Sequence, residues 1–264
     1  MSKIVTDSKN YSDIADAIRE KGVKGSFKPA EMADAVRSIP SGGGSIPEMT
    51  LIIDKLSTSG VPAECTWYGN EIPDHTLRYF GYQSRRLLKK GTSITRIGTQ
   101  ALGNATIDVE EGFFDDVIYL GNYACCFSPS SVIDLSFPKW NGKDVGNKLP
   151  ESNFRGTDIK FNSLNLPMLE HVPQYMCYQN KLLTHAQLGS IGHGIISSGQ
   201  RPFGNTQGTA TIEVYVDGSN LDSISAAVSN SASSSYTFIF KASENTTYNG
   251  TSYSAGDTML TIGS

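Results

Sequence analysis

The chain reads as a mainly β protein with short helices: a stacked repeat solenoid, preceded by an N-terminal α-helical hairpin and followed by a small β-rich C-terminal cap. Three observations carry this reading. A six-residue half-turn recurs at nearly regular intervals through the middle of the chain. Runs between the half-turns alternate apolar and polar residues with the period of two of a half-buried strand. The first forty residues show instead the i, i+3, i+4 spacing of helices, and a glycine run follows them.

Residues 1–40 predict the hairpin. Asn10 or Ser12 can cap a first helix with Ile14, Ala17 and Ile18 on one face, and Gly22 is placed to end it. Ser26 can cap a second helix, with Pro29 near its first turn and Met32, Ala33, Val36 and Ile39 as its apolar face; Pro40 stops it. Such a hairpin buries little apolar area alone, so a partner surface or self-association is expected to hold it. Glu31 and Asp34 offset Lys28 and Arg37 on the second helix, which argues against a DNA-reading helix-turn-helix.

The series Tyr11-Ser12-Asp13-Ile14-Ala15-Asp16-Ala17-Ile18-Arg19-Glu20-Lys21-Gly22, then Phe27-Lys28-Pro29-Ala30-Glu31-Met32-Ala33-Asp34-Ala35-Val36-Arg37-Ser38-Ile39-Pro40, resembles the N-terminal segment of many bacteriophage tail and virion structural proteins. The resemblance implies attachment to the particle, with Ile14, Ile18, Met32 and Val36 as attachment residues and other virion proteins as partners. A variable outer domain is expected beyond it.

The span 41–47, opening Ser41-Gly42-Gly43-Gly44-Ser45, is a flexible linker by composition. The solenoid is expected over 48–216. Met49-Thr50-Leu51-Ile52-Ile53-Asp54 predicts a first strand or cap, which a repeat array needs to cover its end. Cys65-Thr66-Trp67-Tyr68 predicts a strand and Gly69-Asn70 its turn.

The half-turns begin at Ile72-Pro73, Ile97-Gly98, Leu120-Gly121, Leu149-Pro150, Val172-Pro173 and Ile191-Gly192. Their starts are about 25, 23, 29, 23 and 19 residues apart, the period range of leucine-rich solenoids. The clearest strands are 132–137, 159–161 and 211–216, where Ile133, Leu135 and Phe137, then Ile212, Val214 and Val216, would face a shared core. One repeat cannot bury its core face, but stacking does so cooperatively.

Ile97-Gly98-Thr99-Gln100-Ala101-Leu102, Leu120-Gly121-Asn122-Tyr123-Ala124-Cys125 and Ser163-Leu164-Asn165-Leu166-Pro167-Met168-Leu169 resemble the leucine-rich repeat of the bacterial surface-antigen type, called BspA-like. The resemblance implies a leucine-rich-repeat-type solenoid that works by binding. Pro replaces Gly in three units, and the 120-to-149 spacing is longer than the pattern.

From 217 to 264 the texture changes. Leu221–Val228 predicts a short helix, Tyr236–Phe240 a strand, and Tyr248-Asn249-Gly250-Thr251 a hairpin, because Asn-Gly supplies the positive φ angles of a type I′ turn.

Composition bounds the chemistry. The net charge of −4 weighs against a nucleic-acid partner, which needs concentrated Lys and Arg. The basic run Arg85–Lys90 reads as a solvated repeat edge. None of the 4 cysteines forms a CxxC pair; Cys125 and Cys177 fall on one apolar repeat position and read as buried free thiols. No Gly-x-Ser-x-Gly elbow or phosphate loop is present, and the paired acids Glu110-Glu111 and Asp115-Asp116 read as exposed faces. No metal, cofactor or enzyme activity is expected. Neither a secretory signal nor an apolar stretch of about 20 residues appears, so no membrane insertion is expected either.

Aromatic residues recur along the solenoid, some of them core. Tyr119, Tyr123, Trp140, Tyr175 and Tyr178 are the expected surface-recognition set, suited to stacking on a bacterial surface glycan or protein. The whole reads as a bacteriophage virion protein, a tail or head fibre made in the host cytoplasm, homo-oligomeric, docked by its N-terminus and presenting the repeats for host attachment. A bacterial cell-surface adhesin of the BspA-like family is the alternative, and a polysaccharide-trimming enzyme a third.

Overall fold

The computed structural model describes residues 49–263, apart from 59, 61, 82–83, 157–159 and 231. The expected hairpin over 1–40, the linker over 41–47 and the attachment residues Ile14, Ile18, Met32 and Val36 lie outside the described residues.

The described chain is mainly β, with one α-helix and a β-solenoid-like stack of about seven turns. In chain order the strands begin with β1 (Thr50–Leu56), β2 (Pro62–Tyr68), β3 (Glu71–Ile72), β4 (Arg86–Lys90), β5 (Arg96–Ile97) and β6 (Ile107–Val109). They continue with β7 (Tyr119–Leu120), β8 (Ile133–Ser136), β9 (Phe161–Leu166), β10 (His171–Val172), β11 (His185–Leu188), β12 (Ser197–Ser198) and β13 (Ala210–Val216). Helix α1 (Leu221–Ser229) precedes β14 (Tyr236–Ala242), β15 (Thr246–Tyr248), β16 (Thr251–Tyr253) and β17 (Thr258–Ile262).

Two series of strands run along the stack. The long series pairs in parallel as β2-β4-β6 and as β8-β9-β11-β13-β14, with β1 and β17 antiparallel at the outer ends. The short series β3-β5-β7 and β10-β12, also parallel, leads into the half-turns. Alternation decides the facing of the long strands: Ile212, Val214 and Val216 are buried, while Thr211, Glu213 and Tyr215 are half-exposed. Strand β14 continues the sheet beyond Val216, and α1 buries Leu221, Ile224 and Val228 on one face. The hairpin β15–β16 turns at Asn249 and Gly250, both with positive φ, as the Asn-Gly pair predicts.

The half-turns stack in register. The backbone N–H of His75, Gln100, Tyr123, Ser152 and Tyr175 donates to the carbonyl of Thr99, Asn122, Glu151, Gln174 and Gln200 in the next turn, at 2.7–3.2 Å. This ladder corrects the sixth unit. It begins at Ser198-Gly199, whose Ser198 pairs with Val172, and not at Ile191-Gly192. Ile191 is 60% exposed, in a connection between β11 and β12.

The last apolar position of the six units, Leu77, Leu102, Cys125, Phe154, Cys177 and Phe203, forms one buried column. Small Cys125 and Cys177 flank large Phe154, so small and large side chains alternate along this part of the column. All four cysteines are free thiols. Where the second position is glycine, the turns approach too closely for a side chain. A Cβ on Gly121 would lie 2.4 Å from the Thr99 nitrogen, and one on Gly98 would lie 2.6 Å from the Asp74 nitrogen.

The core is a chain of aromatic rings. Phe114 lies 4.6 Å from Phe137, which lies 5.3 Å from Phe154, and Trp140 meets Phe154 edge-on at 6.0 Å. The long 120-to-149 spacing holds an extra loop over 141–149. Its Lys143 carbonyl accepts the Trp140 indole N–H at 2.9 Å, which lets that ring be buried completely.

Candidate functional site

The fourth half-turn position is the outer corner of each turn. His75, Gln100, Tyr123, Ser152, Tyr175 and Arg201 all have φ between 51 and 61° there. In the first two turns the N–H of Thr76 and Ala101 closes back to Pro73 and Gly98, as in a type II turn, whose third residue takes a positive φ. Non-glycine residues pay about 1–3 kcal/mol for this conformation. The inter-turn ladder imposes it in every turn, so it belongs to the fold and not to one site.

Apart from small, buried Ser152, the corner column carries its side chains to the surface, and the seventh position lies beside it. In three successive turns these columns read Tyr123 and Cys126, Ser152 and Arg155, Tyr175 and Tyr178. Strand spacing puts Tyr123 and Tyr175 about 10 Å apart along the stack. Arg155 bridges that gap. Its Nη1 donates to the Tyr123 hydroxyl at 3.2 Å, and its Cζ lies 4.8 Å from the Tyr178 ring centre and 6.0 Å from that of Tyr123. Tyr178 meets Tyr175 at 5.2 Å with planes at 74°. Its hydroxyl accepts from the Asn205 amide, and Gly204, lacking a Cβ, leaves room under its ring. A cation over an aromatic face and an edge-to-face ring pair are each favourable by about 0.5–1.5 kcal/mol, which fixes the row before any ligand arrives.

Of the five expected recognition residues, the structure brings Tyr123, Tyr175 and Tyr178 together, each half-exposed. Tyr119 is half-exposed but stands apart, in β7, paired in register with Arg96. Trp140 is 0% exposed and is corrected from surface to core, because its N–H partner and its ring partners are all internal. Sequence reasoning missed Arg155 and Asn205. Arg155 sits one residue past Phe154, the end of the six-residue pattern, and a seventh repeat position would have marked it.

Elsewhere, a cleft of about 120 Å3 is lined by Gly192, Gly194, Asp217, Ser243 and Glu244. The Asp217 carboxylate there already accepts the Ser219 N–H at 2.8 Å and the Thr246 hydroxyl at 2.9 Å, so it serves the start of α1. Among the described residues, no group of three or more His, Cys, Asp or Glu side chains is arranged to hold a metal ion. Among them, too, no helix is long and apolar enough to cross a membrane.

Burial pushes the Cys65 thiol up to about 11 and the Cys126 thiol up to about 12, the latter against the opposing pull of Arg155. Neither is a nucleophile at neutral pH, since the thiolate is the reactive form. The arrangement can stack, hydrogen-bond and attract an anion. No family model, curated protein or solved structure matches the chain.

Proposed function

We propose that the chain is a binding protein of a bacteriophage virion, a tail or head fibre. In this reading its N-terminal helices dock to other virion proteins, and a solenoid of the leucine-rich, BspA-like type presents the Tyr123–Arg155–Tyr178–Tyr175 row to the bacterial surface. The single observation that carries the binding part is that row, a half-exposed and internally braced set of three rings and one cation spanning three turns. The virion part rests on the resemblance of residues 11–40. The chain acts by binding, without catalysis, and as a homo-oligomer, so many weak contacts sum to firm attachment.

Antibody labelling of purified phage particles, seen by electron microscopy, tests the location. Label on the tail or head supports it; particles without label move the chain to a cellular adhesin. Release of soluble sugar from envelope preparations would sink the binding-only reading in favour of an enzyme. Pull-down of the full chain with bacterial envelopes tests the binding itself, and loss of it in Tyr178→Ala ties it to the row.

A further inference from the structure

We propose that the row takes an anionic polysaccharide, with a sugar ring lying on Tyr175 and its carboxylate or phosphate on Arg155. This rests on the surface-binding reading above and names the ligand's chemistry.

The argument starts from Arg155. A guanidinium carries five N–H donors in a planar fork suited to two acceptor oxygens at once. Here one nitrogen reaches the Tyr123 hydroxyl, and the plane is braced over Tyr178. Among the described residues no carboxylate lies within 4.0 Å of it. By contrast Arg96, at the start of an earlier half-turn, is ringed by Glu71, Asp74 and Asp144. Arg201, at the corner of the turn after Tyr175, is exposed and adds a second cation. Glu151 stands one column away, at the position of Asn122 and Gln174 in the adjoining turns.

The rings decide sugar over peptide. The backbone under the row is already paired: Tyr175, Cys177 and Gln179 donate to Gln200, Pro202 and Gly204 of the next turn. An extended peptide therefore finds no strand edge to join there. A sugar needs none. The C–H face of a pyranose packs on the electron-rich face of a tyrosine ring, and its hydroxyls pair with amides such as Asn205. Arg155 covers Tyr178 from above and Gly204 from below, so the ring left for the sugar is the half-exposed Tyr175, edge-to-face with Tyr178 at 74°. A planar cation beside a stacking ring selects an acidic sugar over a neutral one.

Titration calorimetry of the full chain at one fixed salt concentration tests this, with four polymers: polygalacturonate, phosphorylated dextran, plain dextran and polyglutamate. We expect one of the first two to bind at least about tenfold more tightly than plain dextran or polyglutamate, as a charge-assisted hydrogen bond supplies that factor. Which of the two binds identifies the acid as carboxylate or phosphate. Arg155→Gln and Tyr178→Leu should each lose about tenfold with the circular dichroism spectrum unchanged, and Arg155→Lys should recover little, because the planar fork is gone. Equal binding of plain dextran overturns the proposal, as does equal binding of polyglutamate, which would mean an acidic peptide serves as well. Unchanged affinity in a folded Arg155→Gln chain also overturns it. If the wild-type chain binds envelopes but none of the four polymers, this inference fails while the surface-binding reading stands; if it binds neither, both fail.

Discussion

Arg96 and Asp144 are 48 residues apart in sequence, yet the Arg96 Nε donates to Oδ1 of Asp144 at 3.0 Å. Asp144 lies in the extra loop over 141–149, and its carboxylate also caps the following turn by accepting the Val145 N–H at 2.8 Å. The loop that lengthens one repeat thus returns to neutralise a cation two turns earlier. Both side chains are mostly buried, at 15% and 10% exposed.

Asp144→Ala should therefore destabilise the chain by about 3 kcal/mol, because removing one partner of a buried pair strands the other charge. Asp74 and Glu71 remain near Arg96 and keep the cost from rising further. Urea unfolding followed by circular dichroism measures it. A loss below about 1 kcal/mol, the value of an exposed pair, would show the bridge to be superficial.

Stability should fall in acid through Asp217. The Ser219 hydroxyl and then its N–H bind this carboxylate and, with Thr246 and Gly218 and against burial, hold it below the ordinary aspartate range. A carboxyl depressed in the fold stabilises it fully above its unfolded value of about 3.9 and loses that contribution as pH drops through the folded value. Asp217→Asn should make the acid limb shallower below about pH 4 while lowering stability at neutral pH. An unaltered slope between variant and wild type would refute the assignment.

The four thiols should be silent in the folded chain. Burial raises Cys65, Cys125, Cys126 and Cys177 alike, so thiolate is scarce at neutral pH. A thiol-reactive dye at about pH 8 should label none of them within minutes, and all 4 after denaturation. A fast-labelling cysteine in native buffer contradicts this.

Ser152 occupies a corner with φ 57°, and its hydroxyl is buried without a partner among the described residues. Ser152→Gly should stabilise the fold by about 1 kcal/mol, since relief of the left-handed strain and of the unmet hydroxyl outweighs glycine's added freedom in the unfolded chain. Ser152→Ala removes the hydroxyl and keeps the strain, so it should gain less. Thermal melting of the two variants ranks them, and the reverse order would contradict the strain argument.

Trp140→Ala and Tyr178→Ala should separate core from surface. The first opens a cavity between Phe137 and Phe154 and should cost about 3–5 kcal/mol. The second should cost about 1 kcal/mol, the value of its ring and cation contacts, yet abolish envelope binding. Paired unfolding and pull-down assays would expose an exchange of these roles.

Five of the six half-turns were legible in sequence, because their first position carries Ile, Leu or Val and their second Gly or Pro. The strand at 211–216, the helix from Leu221 and the Asn249-Gly250 hairpin were legible for the same reason: each follows from local periodicity or from the φ angles a dipeptide allows. The sixth half-turn was not. Its first position is Ser198, half-exposed, whereas the apolar Ile191 that imitates the pattern points to solvent, and only pairing with Val172 distinguishes them. Nor could sequence sort the aromatics. Trp140 went inside because a loop carbonyl three residues away satisfied its N–H, while Tyr123 and Tyr175 stayed out on the turn corners with Tyr178 beside them. Arg155 became their centre only when stacking set residues 123, 155 and 178 side by side. Local chemistry fixed the repeating units, and inter-turn hydrogen bonds, which depend on no single residue type, decided which side chains meet.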